Sequence, residues 1–411
     1  MKYFVESYGC TMNYGEGEEL AERLDGLGYG RAPSADAADL VVLNTCTVVE
    51  TTEKRMIKRM NELKAAGKKV IVTGCMAKVQ AGRINVRLPG SLIIPPEDYG
   101  RFADEVAGAY GCGEAVTSEH IGTTAIIPIA QGCRGNCTYC ITRFARGTLK
   151  SYDPAALKKR FCDLLDRGAK EILLTAQDTG CYGRDIGTDL GELVRSLLEK
   201  DGDYRIRIGM MNPNSLMPVL DSVMDVFEDP RVYRFLHIPV QSGSDAVLEN
   251  MRRHYTSEDF FSLVDRIRER WPDMSIATDL IAGFPGESEE DHEASMGLIR
   301  KLRADTVNIT RFSARPGTEA FSMEQLNGRI LKERSTELTA VKNETEKDVN
   351  SSMVGETYSA LVSERSEDGS VIARTDNYRP IVIREEIPLG TFIRATVTDA
   401  FPTYLIGKRA D

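Results

Sequence analysis

What this chain lacks narrows its chemistry. Only four of its 411 residues are histidine. With cysteine clusters available, His237 is read as a core or supporting residue, neither ligand nor base. No apolar run is long enough to span a bilayer. The N-terminus, Met1-Lys2-Tyr3-Phe4-Val5-Glu6, lacks the layout of a signal peptide. Both absences point to a cytoplasmic protein with no membrane partner. An excess of basic charge is missing too, for the formal net charge is −10. Acidic character repels phosphates at long range, so nucleic-acid binding is not legible from overall charge, although a local basic face is not forbidden. Disulfides are not expected, because cytosolic thiols stay reduced. The nine cysteines then read as metal ligands or catalytic groups.

The densest information lies in Gln131-Gly132-Cys133-Arg134-Gly135-Asn136-Cys137-Thr138-Tyr139-Cys140. The apolar run 124–130 before it reads as a buried strand, and the Gly-rich segment as a loop. Thiolates of Cys133, Cys137 and Cys140 can hold three irons of a [4Fe–4S] cube and leave the fourth open to chelate a ligand. A structural zinc site is the alternative. It wants four closed ligands, and neither His nor a fourth Cys lies close by in sequence. The C-x3-C-x2-C spacing with an aromatic before the last Cys resembles the signature of radical S-adenosylmethionine (SAM) enzymes. The continuation Ile141-Thr142-Arg143-Phe144-Ala145-Arg146-Gly147 narrows the resemblance to methylthiotransferases, which place a methylthio group on a C–H bond.

Residues 1–111 read as a first domain, an open parallel α/β sheet. Strands are expected over 2–8, 39–43 and 68–73, with a fourth near 92–94 and helices between. Leu20, Leu24 and Leu27 share one helical face, and a second helix is expected over 52–66. Cys10, Cys46 and Cys75 each fall just past a strand's C-terminal end. In an open parallel sheet those ends share one edge, where ligands bind. One free Cys is most often a small buried hydrophobe; three at equivalent positions point to convergence in space. The runs Gly-Cys-x-Met-Asn, Asn-Thr-Cys and Gly-Cys-x-Ala resemble the N-terminal methylthiotransferase domain. That resemblance implies a second, auxiliary [4Fe–4S] cluster on these three cysteines, whose free iron presents the sulfur to be inserted. The Gly-rich stretch 107–124 reads as a linker, with Cys112 a bystander.

Residues 121–350 alternate strands and helices, with further strands expected over 170–175, 204–210, 232–238, 274–281 and 305–312. Repeated βα units imply a parallel sheet with right-handed crossovers. About six of them suggest a partial (β/α)6 barrel, the usual radical-SAM core, with its active site at the C-terminal mouth. Asp153-Pro154 opens one helix as N-cap and first residue. The strand ends carry amide, hydroxyl and guanidinium groups suited to SAM. Gln177, Gln241 and Ser313 are the expected SAM contacts, and Gly283-Phe284-Pro285-Gly286 allows close backbone approach at the adenine end. Cys162 reads as helix packing. Cys181, beyond a strand end and near the expected mouth, belongs to neither triad and is a candidate redox or substrate contact. The charged stretch 332–350 reads as a solvated connecting helix.

Residues 351–411 shift to short strands and suggest a small β-barrel. The region resembles a TRAM domain, an RNA-binding module. Arg374, Arg379, Arg384, Arg394, Lys408 and Arg409 are candidate phosphate contacts, or ordinary solvated charges.

The resemblance covers nearly the whole chain and implies two [4Fe–4S] clusters and SAM. One SAM is cleaved to a radical that takes hydrogen from an unactivated C–H; a second supplies the methyl group. An electron donor and a sulfur donor are implied partners. Thr138-Tyr139-Cys140, Ala145-Arg146-Gly147 and Gln177-Asp178-Thr179-Gly180 look most like the archaeal and eukaryotic branch. That branch acts on N6-threonylcarbamoyladenosine at position 37 of the tRNA anticodon loop, a base that must be unstacked to react. Isopentenyladenosine in tRNA and a ribosomal-protein aspartate are the rival substrates. A non-catalytic RNA-binding iron–sulfur carrier is the rival class.

Overall fold

The computed structural model describes residues 1–114 and 122–410. The expected first residue of the middle unit, the last residue of the chain and positions 115–121 of the expected linker lie outside the described residues. Helix Phe102–Tyr110 occupies the start of that linker.

The first unit is a five-stranded, all-parallel sheet. Its strands are β1 (Lys2–Ser7), β2 (Gly30–Arg31), β3 (Leu40–Thr45), β4 (Lys69–Gly74) and β5 (Leu92–Ile93), in the order β2-β1-β3-β4-β5. Every residue of β3 is buried, because helices cover both faces of the sheet. Leu40 and Val42 pack with Leu20, Leu24 and Phe102 on one side. Val41 and Leu43 pack with Met56, Met60 and Leu63 on the other. The strand runs two residues beyond its expected end, up to Cys46 itself. The second helix, Glu50–Ala65, begins two residues earlier than its apolar pattern suggests.

The middle unit opens with β6 (Thr124–Pro128) and a short ribbon of β7 (Ala130–Gln131) and β8 (Lys150–Ser151). It continues through β9 (Glu171–Thr175), β10 (Arg205–Ile208), β11 (Phe235–His237), β12 (Ser275–Ala282) and β13 (Thr306–Arg311). β6, β9 and β10 form one parallel sheet and β11, β12 and β13 another, joined by a parallel bridge between Ile206 and Val232. Six strands in sequence order make the partial barrel that the βα repeat predicts. Asp153 caps its helix by accepting from the Ala156 N–H at 2.8 Å.

The charged helix Gly328–Ser351 is not a solvated connector. Leu338, Val341, Glu346 and Asn350 are buried along one face. Glu346 accepts from the Val307 backbone N–H at 2.6 Å and from Lys342 at 2.8 Å. Its carboxylate serves the edge strand β13, so the charge sits inside.

The last unit is a closed barrel of β14 (Thr357–Arg365), β15 (Val371–Thr375), β16 (Pro380–Ile383), β17 (Phe392–Ala400) and β18 (Leu405–Arg409), in the order β14-β15-β16-β18-β17. Two of the expected phosphate contacts have structural partners instead. Arg379 is 4% exposed, pairs with Asp305 of the middle unit at 2.5 Å and donates to Asn350. Arg374 pairs with Glu364 at 2.6 Å and stacks on Tyr378. Arg384, Arg394, Lys408 and Arg409 are exposed. Arg379→Ala leaves Asp305 without its buried partner, and breaking a buried pair costs about 3–5 kcal/mol. The expected result is faster proteolytic release of the C-terminal barrel than in the wild type; equal rates would remove Arg379 as the tether.

No helix among the described residues is long and apolar enough to cross a membrane.

Candidate active site between two cysteine triads

The parallel register brings the first triad together. Ser7 pairs with Asn44, and Thr45 with Gly74, so the ends of β1, β3 and β4 stand level. Cys46 and Cys75 follow β3 and β4 directly, and Cys10 follows β1 after Tyr8 and Gly9. The turns are tight. Gly9 has φ +109°, and a Cβ there would fall 2.6 Å from Cys46 Cβ and 2.9 Å from its Sγ. Gly74 has φ +81°, and a Cβ there would meet the Thr45 carbonyl oxygen at 2.3 Å. A side chain at Gly9 would press on the Cys46 thiol, and one at Gly74 would push β4 away from β3.

Cys133, Cys137 and Cys140 lie on the loop after β7, at the C-terminal mouth of the barrel. The Gly135 N–H donates to Cys133 Sγ at 3.2 Å, and a Cβ on Gly135 would stand 3.3 Å from that sulfur and 3.8 Å from Cys137 Sγ. Backbone N–H groups of Thr142 and Arg143 point at Cys140. Among the described residues, no three His, Cys, Asp or Glu groups converge on a single ion. A cube makes a different demand, since each thiolate bonds its own iron. A glycine cradle and N–H donors aimed at sulfur fit such a group at both triads.

Burial pushes the Cys75 and Cys133 thiols up to about 12. The same desolvation raises Cys46 and Cys140. Cluster assembly must therefore displace protons from these sulfurs.

Two arginines stitch the triads to one another. Arg146, six residues past Cys140, reaches back into the first unit. Its Nε donates to Cys75 Sγ at 3.2 Å and its Nη2 to Asn13 Oδ1 at 2.7 Å, while Nη1 pairs with Glu16. The side chains of Arg146 and Glu16 are only 1% and 2% exposed. On the other side Arg315, just past Ser313, donates to the Val48 carbonyl at 3.0 Å and pairs with Glu53 at 2.9 Å. Val48 and Glu53 follow Cys46 closely. Beside the Arg315 tie lies a cavity of about 110 Å³ lined by Val48, Val49, Cys140, Thr142, Phe312, Ser313 and Arg315. Both cysteine-bearing units thus wall one chamber.

A third arginine, Arg253, donates to Cys137 Sγ at 3.3 Å. Its other partners are neutral: Tyr255 at 2.8 Å, Asn212 at 2.6 Å and the Pro239 carbonyl at 3.3 Å. Asn212 is itself held by Asp178 at 2.8 Å. Arg253 thus brings to Cys137 a guanidinium whose other hydrogen-bond partners carry no charge.

The expected SAM contacts divide. Ser313 borders the chamber with Cys140. Gln177 Oε1 accepts from the Gly132 N–H at 2.6 Å and so anchors the cysteine loop. Gln241 sits past β11 with φ +75° and pairs its backbone with Asp279 and Ile281; it does not line the chamber. Phe284 packs edge-on against Tyr139 at 6.2 Å and Phe312 at 5.3 Å, which fixes the aromatic of the cysteine loop. Cys181 is buried and bonds Asp178 at 3.2 Å and Ser215 at 3.1 Å. Cys162 packs half-buried against the barrel core and Cys112 is exposed. His237 bonds Asp279 at 2.9 Å.

Arg146 and Arg253 escape a reading by sequence alone, because the thiols they meet, Cys75 and Cys137, lie 71 and 116 residues away. The one local signal is that Arg146 follows the cysteine loop.

Comparison with known proteins agrees with this geometry. Residues 127–299 match the Radical SAM superfamily, residues 2–94 match Uncharacterized protein family UPF0004, and residues 351–409 match the TRAM domain. A probable threonylcarbamoyladenosine tRNA methylthiotransferase of Pyrococcus abyssi is 39% identical over 428 residues, covering 99% of each chain. The chain belongs to the threonylcarbamoyladenosine tRNA methylthiotransferase family. A Drosophila melanogaster member is 35% identical over 435 residues, covering 100% of this chain and 78% of its own. The radical S-adenosylmethionine methyltransferase TsrM from Kitasatospora setae shares the fold, with TM-score 0.55 at 14% identity over 74% of this chain and 70% of that one. As a methylthiotransferase of the radical-SAM superfamily, this enzyme uses SAM and a [4Fe–4S] cluster.

Proposed function

We propose that the enzyme adds a methylthio group to C2 of N6-threonylcarbamoyladenosine at position 37 in the tRNA anticodon loop. Cys133, Cys137 and Cys140 would hold the cluster that binds SAM. Cys10, Cys46 and Cys75 would hold a second [4Fe–4S] cluster. When bound, the first would supply the electron for reductive cleavage of SAM, and the second would offer the sulfur site. The observation that supports this reading most is the chamber walled by both cysteine-bearing units and bordered by Arg315, which pairs across to Glu53.

The chain's own residues do the positioning. Gln177 fixes the loop through Gly132. Ser313 and Thr142 offer hydroxyls to the ribose end of SAM beside the apolar wall of Phe312. Gln241 would contact SAM from the neighbouring strand end. Val48 and Val49 of the first unit border the same space with apolar side chains. Exposed Arg384, Arg394, Lys408 and Arg409 on the C-terminal barrel would meet tRNA phosphates. The electron and sulfur donors dock from outside, and we assign the cytoplasm as the compartment.

Mass spectrometry of nucleosides from a deletion strain tests the substrate. Threonylcarbamoyladenosine should accumulate and its 2-methylthio form should vanish. Disappearance of the methylthio-isopentenyl nucleoside in its place would overturn the reading.

A further inference from the structure

Side chains along parallel strands alternate between two faces. In the partial barrel the convex positions Ile206, Ile208, Leu236, Ile276, Leu280 and Val307 belong to the helix-covered core. The concave face is of another kind. Phe235 and Ala277 form a small cluster there with Tyr233 and with Tyr378, which reaches in from the C-terminal barrel. Asn308 and Thr310 of the edge strand on this face are exposed, so the concavity is open along β13.

Arg207 lies on this floor. Its guanidinium stands 4.9 Å from the Phe235 ring centroid and 5.1 Å from that of Tyr378. Its Nε is buried without a hydrogen-bond partner. No ion pair forms at Arg207 among the described residues, whereas its neighbour on the same strand, Arg205, pairs with Asp376 at 2.9 Å. The carboxylates on this face are otherwise engaged. Asp279 holds His237 at 2.9 Å and Asn308 at 2.8 Å. Glu171 accepts from Thr124 at 2.6 Å and Tyr233 at 3.0 Å. Two aromatic rings orient a cation that has no counter-ion.

We propose that Arg207 is the anchor of a carboxylate-binding floor that takes the anionic end of the target nucleotide's N6 substituent. This rests on the proposed reading of the substrate as threonylcarbamoyladenosine. Arg207 is level with Leu173, two residues below the end of β9 at Thr175, or about 7 Å at the rise of a parallel strand. Above it Ile281 and Thr310 lead into the chamber that holds Cys140 and Ser313. The N6 substituent leaves the purine meta to C2. With C2 turned to the chamber, the substituent hangs down the concave face past Asp279 and Asn308. Its carboxylate meets a partly desolvated, pre-oriented guanidinium fork, the geometry that binds carboxylates in a bidentate manner. A neutral isopentenyl tail would leave that cation unpaired.

The test uses the reconstituted full-length enzyme and two anticodon stem-loops, one carrying threonylcarbamoyladenosine and one its carboxyl methyl ester. Wild type should convert the acid about 100-fold more efficiently than the ester, the scale that losing a charge-assisted hydrogen bond gives. Arg207→Gln should bring the two to within a few-fold by raising KM for the acid, while SAM cleavage without RNA, iron content and thermal unfolding stay at wild-type values. Arg207→Lys should keep part of the preference. An undiminished acid preference in Arg207→Gln would overturn the assignment of Arg207 alone. Conversion of neither RNA by wild type would overturn the substrate reading itself. If Arg207→Gln fails to fold, Arg207→Lys decides: full wild-type preference and KM there would refute the need for a bidentate fork.

Discussion

Arg146→Met should unmake the junction between the two cysteine-bearing units. The substitution leaves the Glu16 carboxylate buried with no cation, and Glu16 Oε2 already has no hydrogen-bond partner. Loss of one partner from a buried pair costs about 3–5 kcal/mol. It also removes the N–H that meets Cys75 Sγ at 3.2 Å. Two readouts should move together. The denaturation midpoint should fall, and anaerobically reconstituted protein should lose iron from the Cys10–Cys46–Cys75 site before the other. Arg146→Lys keeps the charge but cannot span Cys75, Asn13 and Glu16 at once, so it should recover part of the stability and little of the cluster. An unchanged midpoint and full iron content in Arg146→Met would show that the junction is held elsewhere.

The second large effect is on SAM. Alanine at Cys133, Cys137 and Cys140 removes every sulfur from the loop and should abolish 5′-deoxyadenosine formation. Reductive cleavage of SAM has no acid–base route through side chains, so the loss should be complete, beyond even the factor of about 10⁴ at the top of what a general acid or base contributes. The fold should survive, because none of the three cysteines belongs to the barrel core. Arg253→Gln offers a graded version. Without the donor at Cys137 Sγ, the cluster's reduction potential should move to more negative values, since hydrogen bonds to cluster sulfurs help set it. Potentiometric EPR measures that shift; an unchanged potential would reduce Arg253 to a packing residue.

The reach of sequence reasoning follows from the range of the interactions involved. Cys10, Cys46 and Cys75 could be brought together on paper because strand register is local and parallel strands end on a common edge. Leu20 and Leu24 fell on the buried face for the same reason, a periodicity of a few residues. Arg146 could not be read this way. Its partner Glu16 is 130 residues away, and nothing in either neighbourhood signals the pairing. Arg315 and Glu53 are 262 residues apart. The helix Gly328–Ser351 misleads by composition. Its charges suggest a solvated rod, yet Glu346 turns inward to the Val307 N–H and Arg334 donates to the Glu287 carbonyl at 2.9 Å. Arg379 misleads in the same way: a basic residue on a small barrel suggests phosphate, and Asp305 of another unit claims it. Long-range ion pairs are the part of this structure that composition and spacing do not encode.

One preparation tests the division of labour between the two triads most directly: the full chain with Cys10, Cys46 and Cys75 all changed to alanine, reconstituted anaerobically. It should bind about four irons where wild type binds about eight. Given SAM, a reductant and a stem-loop bearing threonylcarbamoyladenosine, it should still release 5′-deoxyadenosine and form no methylthio nucleoside. Methylthio product at the wild-type rate from protein holding only about four irons would contradict the account.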